Sequence, residues 1–441
     1  MVTKRFRATI VAIICCLALA VVAQAEEPEE SEEKEVLRAS SEASPPLFVP
    51  AIALVEPARS PIEDVTAKKP PYVRWERSGT HIGEKGKGRF SAKVNVRSQL
   101  RFAQPFKSAP RKESHFTREG DGETYFRRAR FKAQGHIYAP WITYKYEHDL
   151  VGNRDLDARI TIKKFEWLQF RFGEWKVDYS RERMDSSGKQ QFADRSIVNR
   201  AFTLDRQKGV TVLGRLAKGT RFDSRYYVGA FTGNGRGWID RDGLDNKDGS
   251  PLVMARYQWN FLGRDVGHSQ SDIGYSEKPV AAIAVGTARN RSRFTRFSSS
   301  GGGNLDGFDL GENGQYSLRQ FMEETTVKYR GLSLQHELHW KRIKDNLNPG
   351  RMTYMRGAYL QAGYFFHHMF PKIPRQLELG GRYAFVDPDR VLDGDMQKEF
   401  AVVVNWFFYG HGNKLTLDTS RFKLGRDLHD TQVRLQWDVS F

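Results

Sequence analysis

From Arg89 onward, apolar and polar residues alternate along the chain with a period of two. In the first run, Phe90, Ala92, Val94 and Val96 share one face, and mainly basic or polar residues occupy the other. Alternation over eight or more residues predicts β-strands with one apolar and one polar face. We identify about sixteen such runs, which begin near residues 89, 124, 140, 155, 166, 208, 220, 252, 280, 320, 331, 355, 375, 398, 413 and 430.

The length of these runs separates two all-β architectures. Strands of a β-sandwich usually have about 5 to 6 residues, whereas many runs here have 9 to 13. A membrane barrel needs about 9–11 tilted residues per crossing and an even number of strands. The last run alternates up to Phe441, which is typical of bacterial outer-membrane proteins. The sequence therefore predicts an all-β fold, a sixteen-stranded antiparallel transmembrane β-barrel, with helical turns only within 176–207.

The N-terminal part predicts export from the cytoplasm. Lys4, Arg5 and Arg7 precede an uncharged apolar stretch, and Ala23-Gln24-Ala25 has the small residues of a cleavage site. We therefore expect a cleaved signal peptide at 1–25; the alternative is an uncleaved anchor, for which the apolar stretch is short. Residues 26–70 carry 11 acidic and 5 basic residues and several prolines. We expect a flexible, acidic periplasmic segment at 26–84 and the barrel at 85–441.

The excess of basic residues points to the lumen of the predicted barrel. The chain has 70 Lys and Arg against 53 Asp and Glu. In a cytoplasmic protein such an excess of positive charge would suggest binding to nucleic acid. The predicted export excludes that partner. If apolar side chains face lipid, the strand lysines and arginines line a water-filled channel and attract anions. We expect about half to pair with nearby carboxylates. The candidate strand residues are Arg89, Lys93, Arg97, Arg101, Arg128, Arg130, Lys132, Arg159, Lys163, Arg171, Arg221 and Arg225.

Several motifs resemble the phosphate-selective porin O and P family. They are Phe126-Arg-Arg-Ala-Arg130, Gly135, Trp141, Tyr144-Lys-Tyr-Glu147, Gly152-Asn153, Asp157-Ala158, Phe172-Gly-Glu-Trp-Lys176, Ser186-Ser187, Phe192-Ala-Asp-Arg195 and Asp205-Arg206-Gln-Lys-Gly209. The resemblance covers residues 85–441 and is most specific in the first half.

The resemblance implies a homotrimeric outer-membrane porin whose third loop folds into the lumen. It also implies that arginines and lysines conduct anions, often phosphate or polyphosphate. By position, the inward loop is 176–207, where family members commonly have Lys-x-Pro-Phe and this chain has Lys176-Val-Asp178-Tyr179. Acidic residues nearly balance the basic residues of this loop, which are Lys176, Arg181, Arg183, Lys189, Arg195, Arg200 and Arg206.

No motif in the sequence predicts catalysis, a cofactor or a bound metal. In His336-Glu-Leu-His339 the two histidines would point to opposite faces of a strand and could not share a metal. The predicted function is passive diffusion of small, phosphate-like anions across the bacterial outer membrane, with outer-membrane lipid and lipopolysaccharide as surroundings. The alternatives are a non-selective general porin and a non-conducting receptor or adhesin barrel; an enzyme barrel fits least.

Overall fold

A computed structural model describes residues 71–76, 79–84, 88–110, 112–116, 120–236, 250–425 and 428–441. The predicted signal peptide, and the predicted acidic segment as far as residue 70, lie outside these residues. Within the described ranges, no helix has the length and apolar character needed to cross a membrane.

The described chain is almost entirely β-structure. Two short strands come first, β1 (Pro71–Glu76) and β2 (Gly79–Glu84). A two-stranded ribbon, β12 (Arg296–Ser298) and β13 (Gly301–Gly303), lies within a loop. The remaining sixteen strands form one closed sheet: β3 (Phe90–Gln104), β4 (Glu123–Ile137), β5 (Ala139–Asp149), β6 (Arg154–Ile162), β7 (Gln169–Lys176), β8 (Arg206–Leu216), β9 (Ser224–Phe231), β10 (Leu252–Trp259), β11 (Val280–Ser292), β14 (Tyr316–Tyr329), β15 (Leu332–Asp345), β16 (Met352–Tyr364), β17 (Leu377–Asp387), β18 (Gln397–Tyr409), β19 (Asn413–Leu424) and β20 (Leu428–Ser440).

Pairing of the last strand with the first closes the barrel. Each of the sixteen strands pairs antiparallel with its neighbours, and β20 pairs with β3 from Val433 opposite Gln104 to Ser440 opposite Arg97. The backbone of Phe441 exchanges two hydrogen bonds with Val96, at 2.8 and 3.0 Å. This pairing leaves no unpaired edge on β3 between Val96 and Gln104, as a barrel in lipid requires. The sixteen-stranded antiparallel barrel predicted from the alternation is thus confirmed.

The two faces of the wall have the predicted polarity. On β3, Arg97 and Arg101 are buried on the lumen side, whereas Phe90 and Phe102 are exposed on the outer surface. Exposed tryptophans such as Trp340 and Trp437 lie on the outer surface, as expected of a membrane girdle. Trp175 is an exception to that expectation, because its ring is buried inside the barrel against Phe231.

The β1–β2 hairpin occupies residues that we expected to be flexible. The two strands pair with each other, and β2 pairs with β3 from Thr80 opposite Val94 to Gly83 opposite Ser91. β2 therefore pairs with the part of β3 that lies below the last residue of the chain, Phe441. Pro71–Glu76 and Gly79–Glu84 thus join the sheet among the described residues, because the lower part of β3 offers an edge that β20 does not reach.

The loops differ between the two ends of the barrel. We call the end that carries Phe441 the lower end. The upper end has long connections, including 105–122, 177–205 and 293–315. Most lower connections are short, but 260–279 is an exception that the sequence did not reveal. Two short helices, α1 (Arg181–Met184) and α2 (Ile197–Phe202), lie within 177–205, in the region where helical turns were predicted.

Candidate functional site: a basic passage inside the barrel

The third upper loop, 177–205, folds into the lumen and bonds to the far wall. The first contacts involve α1: the Ser180 hydroxyl donates to Glu337 on β15 at 2.8 Å, and the Glu182 backbone N–H donates to the same carboxylate at 2.7 Å. The Arg181 guanidinium lies 2.7 Å from Glu324 on β14. All of these groups are buried, so buried hydrogen bonds and an ion pair hold the inward-folded third loop in place.

The middle of the loop bonds to the strands that follow. The Gln191 side chain donates to Glu378 on β17 at 2.9 Å, and Asn405 on β18 donates to the Gln191 carbonyl at 3.0 Å. Gly363 on β16 permits this approach, because a Cβ atom there would lie 2.0 Å from the Gln191 amide nitrogen. A side chain at this position would force the ends of the Gln191 and Glu378 side chains to move.

The loop then reaches the seam where the barrel closes. Asp194 lies 2.5 Å from Arg101 on β3, 3.5 Å from Arg128 on β4 and 3.7 Å from Arg434 on β20. Burial alone would raise the pKa of the Asp194 carboxyl, but Arg101, Arg127, Arg128 and Arg434 hold it well below its ordinary value. Asp194 is therefore ionised, and it links the loop to four arginines of strands β3, β4 and β20.

Next to this contact, the loop and strands β4 to β8 enclose a narrow basic cavity. Among the described residues, eight cationic side chains and a single carboxylate, Asp149, line it together with two serines. Its empty volume is about 350 Å³, including its open side. The cationic residues are Arg127, Arg128, Arg130, Arg154, Lys176, Arg183, Arg195 and Arg206.

Several arginines of this cavity keep an unused donor. Arg130 bonds to Glu147 at 2.7 Å and Arg206 bonds to Asp157 at 2.7 Å, so both are held in place by carboxylates behind the cavity wall. Even so, a buried N–H group of Arg130, Arg154, Arg183 and Arg206 has no hydrogen-bond acceptor among the described residues. Buried donors without acceptors are costly, and an oxyanion in the cavity would satisfy them.

Two β-bulges aim arginines at this cavity. On β4, Gln99 of β3 lies opposite Arg128 and Leu100 lies opposite Phe126, so Arg127 is an extra residue. On β6, Asp157 lies opposite Glu147 of β5, and Asp155 lies opposite His148. One residue of β6 is skipped between these two pairs, which changes the face on which Arg154 emerges. A bulge changes the face on which neighbouring side chains emerge. Simple alternation along these strands would place Arg127 and Arg154 on the outer face.

Below the cavity, the same wall lines a wider vestibule. It is formed by the lower parts of β2 to β6 and has a cavity volume of about 950 Å³, including open solvent. Four of its lining residues are Lys93, Lys145, Arg159 and Lys163. Lys145 bonds to Asp157 at 2.5 Å. The narrow cavity and the vestibule together give this side of the lumen a basic surface.

The long lower connection, 260–279, contacts the inserted loop from below. The Gln270 backbone N–H donates to the Lys189 carbonyl at 3.0 Å, and the Gln270 side chain accepts from the Gln191 backbone at 3.0 Å. Arg181 donates to the Gly267 carbonyl at 2.6 Å. Two segments that enter from opposite ends thus meet in the lumen, near the β14–β19 wall and away from the basic cavity.

Not every basic residue that the sequence suggested reaches the cavity. Arg128, Arg130, Lys176, Arg183, Arg195 and Arg206 line it, and Lys93, Arg159 and Lys163 line the vestibule. Arg97 binds Ser187 of the inserted loop at 2.6 Å, and Arg101 binds Asp194. Lys132 is partly buried on β4, where Glu147 is a charged neighbour.

The remaining predicted residues do not line either cavity, and their assignment to the channel wall stays a prediction. Arg171 binds Asp178 through both carboxylate oxygens, at 2.7 and 2.8 Å, and Arg225 binds Asp265. Arg200 donates to Gln397 and to carbonyls of the first upper loop. Arg89 and Lys189 are exposed, and Arg221 lies in a lower turn over the ring of Phe222. Arg181 anchors the inserted loop, as described above.

Comparisons with known proteins agree with this architecture. The model of the family phosphate-selective porin O and P matches residues 100–246. No curated protein sequence matches the chain. Among solved structures, the outer membrane channel DcaP of Acinetobacter baumannii has 12% identity and a TM-score of 0.51, covering 79% of this chain and 97% of that one. In-vitro folded OmpT, an outer membrane protein of Vibrio cholerae, has 11% identity and a TM-score of 0.51, covering 80% and 97%. The chain thus has the closed sixteen-stranded barrel fold of bacterial outer-membrane porins, and over residues 100–246 it is similar to the phosphate-selective porin O and P family.

Proposed function

We propose that this porin gives passive, anion-favouring diffusion of small solutes, and that the basic cavity is its selective constriction. The observation that carries the proposal is the ratio of eight cationic side chains to one carboxylate around a narrow space. Fixed charges of one sign in a passage with low-dielectric walls concentrate the counter-ion and repel ions of the same sign. We propose no catalytic residue and no cofactor for this chain.

The chemistry of the cavity favours oxyanions such as phosphate. Guanidinium groups offer several N–H donors in a fixed plane, which match the oxygens of phosphate or carboxylate. Arg130, Arg154, Arg183 and Arg206 each have a buried N–H group without an acceptor among the described residues. A tetrahedral oxyanion could accept from more than one of them at a time, whereas chloride offers no directional acceptor sites.

The acidic residues of the inserted loop do not line the cavity themselves. Asp178 is bound by Arg171 and by the Trp175 indole N–H at 3.0 Å, and it is not among the residues that line the cavity. Asp205 is paired with Arg183, and Asp194 is surrounded by arginines. Asp194 and Asp205 thus balance part of the charge of Arg127, Arg128 and Arg183, and Asp149 is the carboxylate among the described residues that lines the cavity.

Single-channel recording with the purified chain in planar bilayers tests the proposal. Under a KCl gradient, we expect a reversal potential that indicates preferred chloride passage, and phosphate should reduce the chloride current more than sulfate or a small dicarboxylate does. A reversal potential near zero would indicate a non-selective general porin. Absence of steady open channels would instead favour a receptor or adhesin barrel.

We also propose a homotrimer, the state that the family resemblance implies. The outer surface around the closing seam has an apolar depression that a second copy could fill, lined mainly by Leu100, Phe102, Phe408, Leu415, Leu435 and Trp437. Native mass spectrometry of the detergent-extracted chain tests this state. A monomer alone would contradict it, and Trp437→Lys should weaken the trimer.

A further inference from the structure

Three arginines form a row across the outer wall of the barrel. Arg289 on β11 lies directly opposite Arg319 on β14, and Arg319 lies directly opposite Arg342 on β15. Arg289 and Arg319 are exposed and Arg342 is half-buried. Directly opposed residues of antiparallel strands have Cβ atoms roughly 5 Å apart. The three arginine side chains therefore extend from Cβ atoms that lie within roughly 10 Å of one another.

The aromatic residues just below the row indicate that it lies at the height of the lipid headgroups at the upper end. Two residues lower on β14 and β15, the exposed rings of Phe321 and Trp340 pack together with centroids 5.6 Å apart. Outward aromatic pairs of this kind mark the edge of the hydrocarbon layer. Outer-membrane barrels place their long loops outside the cell, so the upper end faces the outer leaflet, and the arginines lie about one pleat above the aromatic edge.

The described carboxylates do not form ion pairs with these arginines; Glu323, on the same outward face of β14, instead lies 3.4 Å from His336. None of the ion pairs between described residues includes Arg289, Arg319 or Arg342. The next outward-facing positions above the row on these strands are Arg291, Ser317 and Lys344, and the next below are Thr287, Phe321 and Trp340. Like charges placed directly opposite each other destabilise a sheet, and more so beside hydrocarbon than in water.

We propose that this row binds phosphate groups of lipopolysaccharide, the glycolipid of the outer leaflet. Guanidinium groups bind phosphate through paired hydrogen bonds, and a phosphate between neighbouring arginines would relieve their repulsion. The aromatic pair below the row would lie against the acyl chains of the same lipid. The proposal rests on the location of the barrel in the outer membrane and is independent of the ion selectivity of its channel.

Native mass spectrometry of the full chain in detergent tests the proposal, with bisphosphorylated lipid A as the probe. The variant carrying Arg289→Gln, Arg319→Gln and Arg342→Gln should bind lipid A about 100-fold more weakly, and Arg319→Gln alone about fivefold more weakly. The matched control is Lys278→Gln with Arg330→Gln and Lys372→Gln, which removes three exposed basic residues at the lower end. The control should bind lipid A as the parent chain does.

Three outcomes would overturn the proposal. The first is unchanged lipid A affinity in the folded triple variant, with folding checked by circular dichroism. The second, which applies if the triple variant does not fold, is unchanged affinity in Arg319→Gln. The third is equal binding of phosphatidylglycerol with an equal loss in the variants, since this would indicate a site for any anionic lipid.

Discussion

The guanidinium groups of Arg127 and Arg128 both point to Asp194, at 3.7 and 3.5 Å, although the two residues are consecutive on one strand. In a regular strand, consecutive side chains emerge on opposite faces. The β-bulge at Arg127 removes this restriction, so β4 supplies three arginines to the cavity within four positions.

Arg127→Ala should lower the preference for anions, because it removes one of eight cations while leaving the bulge and its neighbours in place. We expect a two- to threefold lower anion-to-cation permeability ratio at about 0.1 M salt and little difference at about 1 M, where the Debye length is only about 3 Å. Reversal potentials measured under matched gradients check this. Arg221→Ala, in an exposed lower turn, should leave the ratio unchanged; an equal fall in both variants would contradict a role for the cavity.

Gly363→Ala should displace the inserted loop. The new methyl group would lie 2.0 Å from the Gln191 nitrogen and 2.8 Å from the Glu378 carboxylate, so the Gln191–Glu378 bond must break or shift. We expect a higher single-channel conductance and a lower unfolding midpoint. Gly381→Ala on the next strand is the matched control, since its nearest neighbour would be the Ala401 carbonyl at 3.9 Å. Equal behaviour of the two variants would disprove the steric argument.

Arg181→Met should loosen the contact between the inserted loop and the lower segment 260–279. The substitution removes the bonds to Glu324 and to the Gly267 carbonyl, while Arg256 still pairs with Glu324 at 2.7 Å. We therefore expect a moderate loss, about 1–3 kcal/mol of unfolding free energy, together with noisier open-channel current. Urea unfolding in detergent and current recording measure the two effects. The exposed residue Lys278 of the same segment provides the control, and Lys278→Met should change neither.

Glu182 should make the stability of the barrel depend on pH. Burial raises the pKa of the Glu182 carboxyl to about 7, and Arg382 and the Ser196 hydrogen bonds offset this only in part. The folded chain therefore binds a proton that the unfolded chain releases near pH 4.5, and the contribution to stability is full below about pH 4.5 and lost as the pH rises through 7.

The variant Glu182→Gln isolates this effect, since glutamine does not titrate. The difference in unfolding midpoint between the parent chain and Glu182→Gln should change between pH 5 and pH 8, with the parent becoming relatively less stable at pH 8. Thermal unfolding at several pH values measures it. A difference that stays constant with pH would show that Glu182 keeps an ordinary pKa.

The sequence by itself determined the wall of this protein. Alternation from Phe90 to Phe441 predicted sixteen strands and which face of each meets lipid, because every second side chain of a strand shares a face. It also predicted that the third upper loop contains the helical turns, and most strands begin within a few residues of the predicted positions.

Only the tertiary structure decided what fills the barrel. The inward positions of Arg127 and Arg154 depend on bulges, which arise from hydrogen-bond register with a neighbouring strand and leave no mark in the alternation. The contact between Gln270 and Lys189 joins segments that enter from opposite ends. Which arginines face the passage, and which are neutralised by a carboxylate, depends on such long-range contacts, because charge alone does not fix a side chain's partner.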